Sequence, residues 1–320
     1  MLSLSYSSIT KKLKISKKPE ILSVIGLILL CILMTILSER FLTQNNILNI
    51  LRQVSINGII AVGMTFVILT SGIDLSVGSV MAYSGTMMAG AMVNLGFHPV
   101  LALVGALALG GIFGLLNGLL ISYAKMPPII VTLAMMEIPR GLALLYTGGY
   151  PLSGLPQGFS FIGRGYVLGI PMPVIIMLLV YLVAHVLLNY LPLGRYVYAI
   201  GGNEEAVRLS GIKVKKYKTL AYIFSGVTAA ISGIVITSRL MSGQPMAGEG
   251  FELDAIASVV LGGTDINGGR GSILGTLIGA LIMGVLSNGL NLLGVSPYVQ
   301  RVFKGLIILF AIYFSSKKEN

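Results

Sequence analysis

The sequence predicts an all-α protein that crosses a membrane about ten times, with some helices short or interrupted and a short helix in one polar loop. Three observations predict it. Of 320 residues, 55% are hydrophobic and only 10% charged, with a mean hydropathy of +0.91, well above the apolar share of a soluble domain. No Asp, Glu, Lys or Arg occurs between Asp74 and Lys125, a run that must cross at least twice at about 20 residues per crossing. The 22 basic residues collect between apolar runs, where they read as topology signals rather than as a surface for nucleic acid. One transmembrane domain over 1–320 is expected.

Residues 11–20, KKLKISKKPE, precede an apolar run at 21–38 in the charge order of a signal peptide. No small-residue cleavage site follows, so the run is read as an uncleaved first span behind a tail at 1–20. Further spans are expected at 54–71, 76–94, 99–122, 128–147, 171–191, 218–238, 272–293 and 297–315. The uncharged segment at 255–264 is too short for a crossing and is expected to be a half-helix sheltered by protein. With both termini inside, the cytoplasmic segments hold the lysines at 11–18, Lys125, the basic residues of the 192–217 loop with Lys218, Arg270, Lys317 and Lys318. That is most of the basic residues, as the positive-inside rule requires. Glycines recur in stretches such as GALALGGIFGLLNG (105–118), where small residues let helices approach closely.

A short internal similarity marks two helix breaks. Gly72-Ile73-Asp74-Leu75-Ser76 aligns with Gly263-Thr264-Asp265-Ile266-Asn267. In each a span stops at glycine, turns through an acid and restarts, as in transporters with interrupted helices. Asp74 or Ser76 is read as a cap for the next helix, with Gly72 and Gly78 permitting the turn and close packing, or as a gating element together with Asp265.

Enzyme signatures are mostly absent. Cys31 is the single cysteine, and His98 and His185 have no companion at metal-ligand spacing, so no metal or cofactor is expected on this chain. No GxxxxGK[ST] loop occurs, so any ATP hydrolysis belongs to another chain. Polar residues inside spans, Asn57, Thr65, Thr70, Asn117, Thr132, Asn288 and Asn291, are candidates either for a hydroxyl-rich substrate's path or for interhelical hydrogen bonds. Asn288 and Asn291, three apart, are expected to face one neighbour or one cavity. Glu137 and Arg140, flanking Pro139 in a span, are expected to neutralise each other near a gate.

The polar stretch GGNEEAVRLSGIKVKKYK (201–218) encodes a short surface helix. Asn203 is its N-cap, Glu204 and Glu205 put negative charge at its first turn, Arg208 sits near its last, and Gly211 supplies the stop. Glu205-Ala206-Val207-Arg208-Leu209-Ser210-Gly211 resembles the EAA loop, E-A-A-x-x-x-G, with Val207 at the second Ala. Permease subunits of bacterial ABC importers hold their ATPases by that loop. The stretches VGMTFVILTSGIDLSVGSV (62–80), ALLYTGGYP (143–151), LGRYVYAIGGNEEAVRLSGI (193–212), GFELDAIASVVLGGTDINGGRGSILGTLIGALIMG (250–284) and NGLNLLGVSPYVQRVFKGLIILFAI (288–312) resemble the ribose-type sugar permeases.

That resemblance implies a channel subunit of the bacterial inner membrane that passes a monosaccharide, ribose first among them. It implies a second permease chain, an extracytoplasmic sugar-binding protein, surrounding lipid, and an ATPase subunit that binds the ATP and Mg. Residues 203–211 become the coupling helix, and Arg140 matches the basic residue before the family's Leu-Tyr-Thr-Gly-Gly segment. The alternative is an ion-coupled secondary transporter using Asp74, Asp265 and Glu137 as ion sites.

Overall fold

A computed structural model describes residues 19–316. The tail at 1–18 and the C-terminal Lys317 and Lys318, on which part of the topology reading rests, lie outside the described residues. Ten helices occupy the ten expected segments: α1 (Pro19–Leu37), α2 (Gln44–Leu69), α3 (Val77–Val93), α4 (Pro99–Ser122), α5 (Pro128–Thr147), α7 (Met172–Asn189), α10 (Val214–Leu240), α11 (Phe251–Leu261), α12 (Ile273–Leu292) and α13 (Pro297–Ser316). Seven of the described helices are long and apolar enough to cross a membrane. Proline opens α4, α5 and α13, where its missing N–H is no loss and its fixed φ suits the first turn.

Among the described residues three shorter α-helices, α6 (Ser160–Arg164), α8 (Pro192–Gly202) and α9 (Glu204–Leu209), and a 3-10 turn at Gln157–Phe159 lie between them. Among the described residues the only strands are two-residue pieces. β1 (Leu152–Ser153) pairs antiparallel with β4 (Ser242–Gly243), and β2 (Tyr166–Val167) with β3 (Ile170–Pro171). The all-α class therefore stands.

Helix α2 is the central element, with 78% of its apolar window buried against 6% for α1. It begins ten residues before the expected span because polar Gln44, Asn45, Asn46 and Asn49 extend the helix beyond its apolar part. Helix α11 has 11 residues, about 16 Å of rise against a hydrocarbon core of about 30 Å. Its segment from Asp254 to Val260 is buried, so this half-helix is sheltered by protein, as its length requires.

The tightest helix pair is α4 with α10. Gly110, Gly114 and Gly118 repeat every four residues along one face of α4, and added Cβ atoms there would run into Gly226, Tyr222 and Thr219 of α10. The helices meet backbone to backbone, as small residues allow. Gly110→Ala is expected to lower the unfolding midpoint measurably, because overpacking costs about 1–3 kcal/mol. Gly105→Ala, with open space around it, is the control, and equal effects in a thermal shift measurement would count against this contact.

Candidate functional site

The site is built around α9. The Asn203 side chain accepts from the Ala206 N–H at 2.9 Å, and Gly211, at φ +79, ends the helix in the left-handed region. Its inner face carries Val207, buried with Ile200 and Val214 beside Ile212 and Tyr217. On its outer face Arg208 donates to both oxygens of Glu205 at 2.5 and 3.1 Å, and Leu209 stands 77% exposed. The hydrogen bond from Arg208 holds the Glu205 carboxyl below its ordinary range, and Glu205 in turn raises Arg208. Both groups are fully exposed, so the pair orders the helix surface and adds little stability. Lys218 donates to Glu204 at 2.9 Å and ties α9 to the start of α10.

Helix α8, missed in the sequence, connects this surface to the membrane part. Its N-terminal Pro192 and its buried Val197 and Ile200 make it an amphipathic helix inside what looked like a polar loop. At its end Gly201 is wedged between the Leu69 carbonyl of α2 and the Gly268–Gly269 backbone of the α11–α12 connection, with no room for a Cβ. The Gly269 N–H donates to the Leu69 carbonyl at 3.1 Å, and Ser71 Oγ donates to the Asn267 carbonyl at 2.6 Å. Tyr198 of α8 donates to the Gly271 carbonyl at 2.9 Å. The two helix breaks thus meet each other and the end of α8 in one junction. Ser71, at φ +61, holds a conformation that is uncommon outside glycine.

Both breaks make the same local turn. The Ser76 N–H donates to Asp74 Oδ1 at 3.0 Å, and the Asn267 N–H donates to Asp265 Oδ1 at 2.9 Å. Their surroundings differ. Asp74 is 1% exposed, and its carboxylate also accepts from Ser76 Oγ (2.6 Å), Ser225 Oγ of α10 (2.8 Å) and Asn117 Nδ2 of α4 (3.5 Å). Asp265 is half-exposed. Of the two candidate caps, Ser76 makes no side-chain bond to the α3 amides because its hydroxyl is spent on Asp74, while Asp74 accepts from the Ser76 N–H at the start of α3. Gly72 and Gly78 serve close packing, against the Tyr222 hydroxyl and the Gly248 carbonyl respectively.

Most polar span residues hold helices together. Asn288 exchanges two hydrogen bonds with Asn46 of α2, at 2.8 and 3.0 Å, whereas Asn291 accepts from Gln300 of α13 at 2.8 Å. The two amides therefore face different neighbours, not one, Asn46 of α2 for Asn288 and Gln300 of α13 for Asn291. Thr65 pairs with Thr276 at 2.7 Å, and Thr70 donates to the Val67 carbonyl at 2.8 Å. Thr132 donates to the Pro128 carbonyl at 2.9 Å and the Ile73 carbonyl at 3.3 Å. Asn117 donates to Ser76 Oγ at 2.9 Å, while Asn57 keeps a buried side-chain oxygen without a partner.

The Glu137–Arg140 pair does not form. Arg140 donates instead to the carbonyls of Pro245 (2.5 Å) and Ala247 (2.9 Å) in the segment that leads into α11, and Glu137, half-way along α5, is exposed. Free backbone carbonyls in a non-helical segment need donors, and they take the guanidinium. Glu252, Glu249 and Glu137 are the acids whose charges reach it.

A family profile described as "Branched-chain amino acid transport system / permease component" matches residues 46–312. The chain belongs to this permease family. Among its relatives, the ribose import permease protein of Bacillus subtilis (strain 168) is 55% identical over 296 residues, 92% of each chain. The ribose import permease protein of Escherichia coli (strain K12) is 49% identical over 301 residues, 93% of this chain and 94% of the relative. The D-allose transport system permease protein of the same strain is 42% identical over 275 residues, 86% and 84% of the two chains. No solved structure matches. This permease is a multi-pass membrane protein and a transport component rather than an enzyme.

Two ion pairs of the permease escaped sequence reasoning. Lys304 of α13 donates to Asp254 of α11 at 2.6 Å, both largely buried, and Arg301 lies 3.5 Å from Glu249 with both exposed. The signal was present: bases three apart in a span require acids nearby. What the sequence withheld was which acids, since α11 and α13 are separated by the whole of α12.

Proposed function

We propose that this chain is the membrane-spanning subunit of an ATP-binding cassette importer that passes ribose from an extracytoplasmic binding protein into the cytoplasm. The observation that carries the reading is the identity of 49–55%, over more than nine-tenths of the chain, to proteins named ribose import permeases. On this reading the chain sits in a bacterial cytoplasmic membrane with both termini inside. A separate ATPase, holding ATP and Mg, grips the exposed Glu205, Arg208 and Leu209 face of α9. Movement of α9 passes through Gly201 into both helix breaks at once.

A second copy of the chain completes the sugar path. Glu137, Glu249 and Arg301 are exposed beside the half-helix α11, where a charge facing hydrocarbon costs about 2.5–3.5 kcal/mol or more. Such a face suits a partner chain and water better than lipid, and its carboxylates can accept from the hydroxyls of a neutral sugar. An ion-coupled mechanism gains little support, because the Asp74 oxygens are occupied by four donors of the chain's own.

Glu205→Lys is expected to reduce ATPase co-purification about tenfold or more, a loss of about 1.4 kcal/mol, with the permease still in the membrane. Accumulation of radiolabelled ribose, and not xylose, in cells carrying the intact system should vanish with this gene. Uptake abolished by a protonophore but insensitive to vanadate would overturn the reading.

A further inference from the structure

At the end of the molecule away from α9, a cavity of about 350 Å³ is lined by Arg52 of α2, Gly163 and Arg164 of α6, and Arg239 of α10. Helix α10 fixes this placement: it starts beside α9 and ends next to Arg239. No ion pair among the described residues involves any of the three arginines. The charge that reaches Arg239 is that of Arg52, another cation.

The cavity is held in shape from below. The Gly163 N–H donates to Ser238 Oγ at 2.8 Å, Ser238 Oγ donates to the Phe159 carbonyl at 2.5 Å, and a Cβ on Gly163 would strike the Arg239 backbone. Arg164 Nε donates to the Arg239 carbonyl at 2.6 Å. Arg52 donates to Asn49 Oδ1 and to the Tyr166 hydroxyl, yet its Nε is buried without an acceptor. Three cations brought together without an acid, one with a buried donor unpaired, form a site that lacks its anion.

The hairpin β2–β3 beside the cavity indicates where that anion comes from. Tyr166 both lines up with Arg52 and opens the hairpin, whose Val167, Leu168 and Ile170 are exposed, Leu168 by 97%. Exposed apolar residues and a tyrosine next to arginines at the end of a spanning helix match the layering of a membrane interface, apolar groups toward acyl chains and cations toward phosphates.

We propose that Arg52, Arg164 and Arg239 form a binding site for the phosphate of an anionic phospholipid in the leaflet opposite the coupling helix. The hairpin rests in that leaflet and the guanidinium forks hold the headgroup. The proposed site does not depend on the identity of the sugar.

The test uses the purified full chain in mild detergent with phosphatidylglycerol, phosphatidylcholine or inorganic phosphate added. Phosphatidylglycerol is expected to raise the unfolding midpoint about 3 °C or more above phosphatidylcholine, and inorganic phosphate is expected to add nothing comparable. Arg52→Gln/Arg239→Gln should remove at least half of that gain, while Arg40→Gln, outside the cavity, should keep it. Equal gains from both lipids, or an undiminished gain in the double variant, would overturn the proposal. If the double variant does not fold, the wild-type gain must fall as salt rises, and a salt-independent gain overturns it equally. In vesicles of phosphatidylcholine alone, with ATPase and binding protein present, Arg239→Gln should match wild type in uptake. A loss there would mean that the arginines receive a carboxylate of the binding protein, not a lipid.

Discussion

Replacing Gly201 by alanine is expected to remove most ribose uptake, whereas the same change one residue on, at Gly202, is expected to leave it nearly intact. The two glycines are neighbours in sequence and alike in chemistry, but a Cβ on Gly201 meets the Leu69 carbonyl and the Gly269 amide while one on Gly202 meets open space. Backbone cannot retreat as a flexible side chain can, so the junction must spread. Overpacking of about 1–3 kcal/mol translates into about a 5- to 150-fold change. The strain falls on the contact that joins α8 to both breaks, so basal ATP hydrolysis by the assembled complex should persist while its stimulation by loaded binding protein is lost. Initial uptake rates, ATPase rates and membrane levels of both variants decide the matter. Equal behaviour of the two would show that Gly201 does not transmit motion.

Asp74→Leu is expected to keep the chain from accumulating in folded form. Leucine leaves the Ser76 N–H and the Ser76 and Ser225 hydroxyls buried without the acceptor that Asp74 provides, at about 1–3 kcal/mol for each unsatisfied group. That approaches the whole stability of a typical domain. Asp74→Asn keeps one oxygen for the same donors, and the Ser225 hydroxyl can turn to accept from the new amide, so insertion and most transport should survive. Size-exclusion profiles and unfolding midpoints separate the cases. A leucine variant as stable as the asparagine variant would remove the carboxylate from the structural core. An asparagine variant that assembles normally but does not transport would assign the charge itself to switching.

The membrane part was legible because hydrocarbon imposes a simple demand. Apolar length and glycine at breaks located ten helices, and the shortness of the 255–264 run announced a half-helix. The cap at Asn203 and the stop at Gly211 were equally local and equally readable. What failed were statements about partners. Arg140 has an acid three residues away and bonds carbonyls a hundred residues on, because local spacing cannot compete with unsatisfied backbone in a non-helical segment. Asn288 and Asn291 share a helix but not a neighbour, since one bonds Asn46 of α2 and the other Gln300 of α13, and spacing alone does not say which helix each amide meets. Helix α8 was hidden because an amphipathic helix at a membrane surface carries the composition of a loop. The wedge at Gly201 left no mark in its own residue type beyond the doublet Gly201-Gly202.

The two breaks share a turn but not an anchorage, and this has a mechanical consequence for the proposed transmission. The buried Asp74 turn is tied to α4 and α10 through Asn117 and Ser225, while the half-exposed Asp265 turn and its connection are tied to Ser71 and Leu69 at the first break and to Tyr198 of α8. On the proposed reading a push from α9 arrives at both, and the half-exposed turn is the freer to move. In that proposal the Asp74 turn would act as the fulcrum and the α11–α12 connection as the lever arm. The half-helix α11, braced to α13 through Asp254 and Lys304, would be what that lever swings.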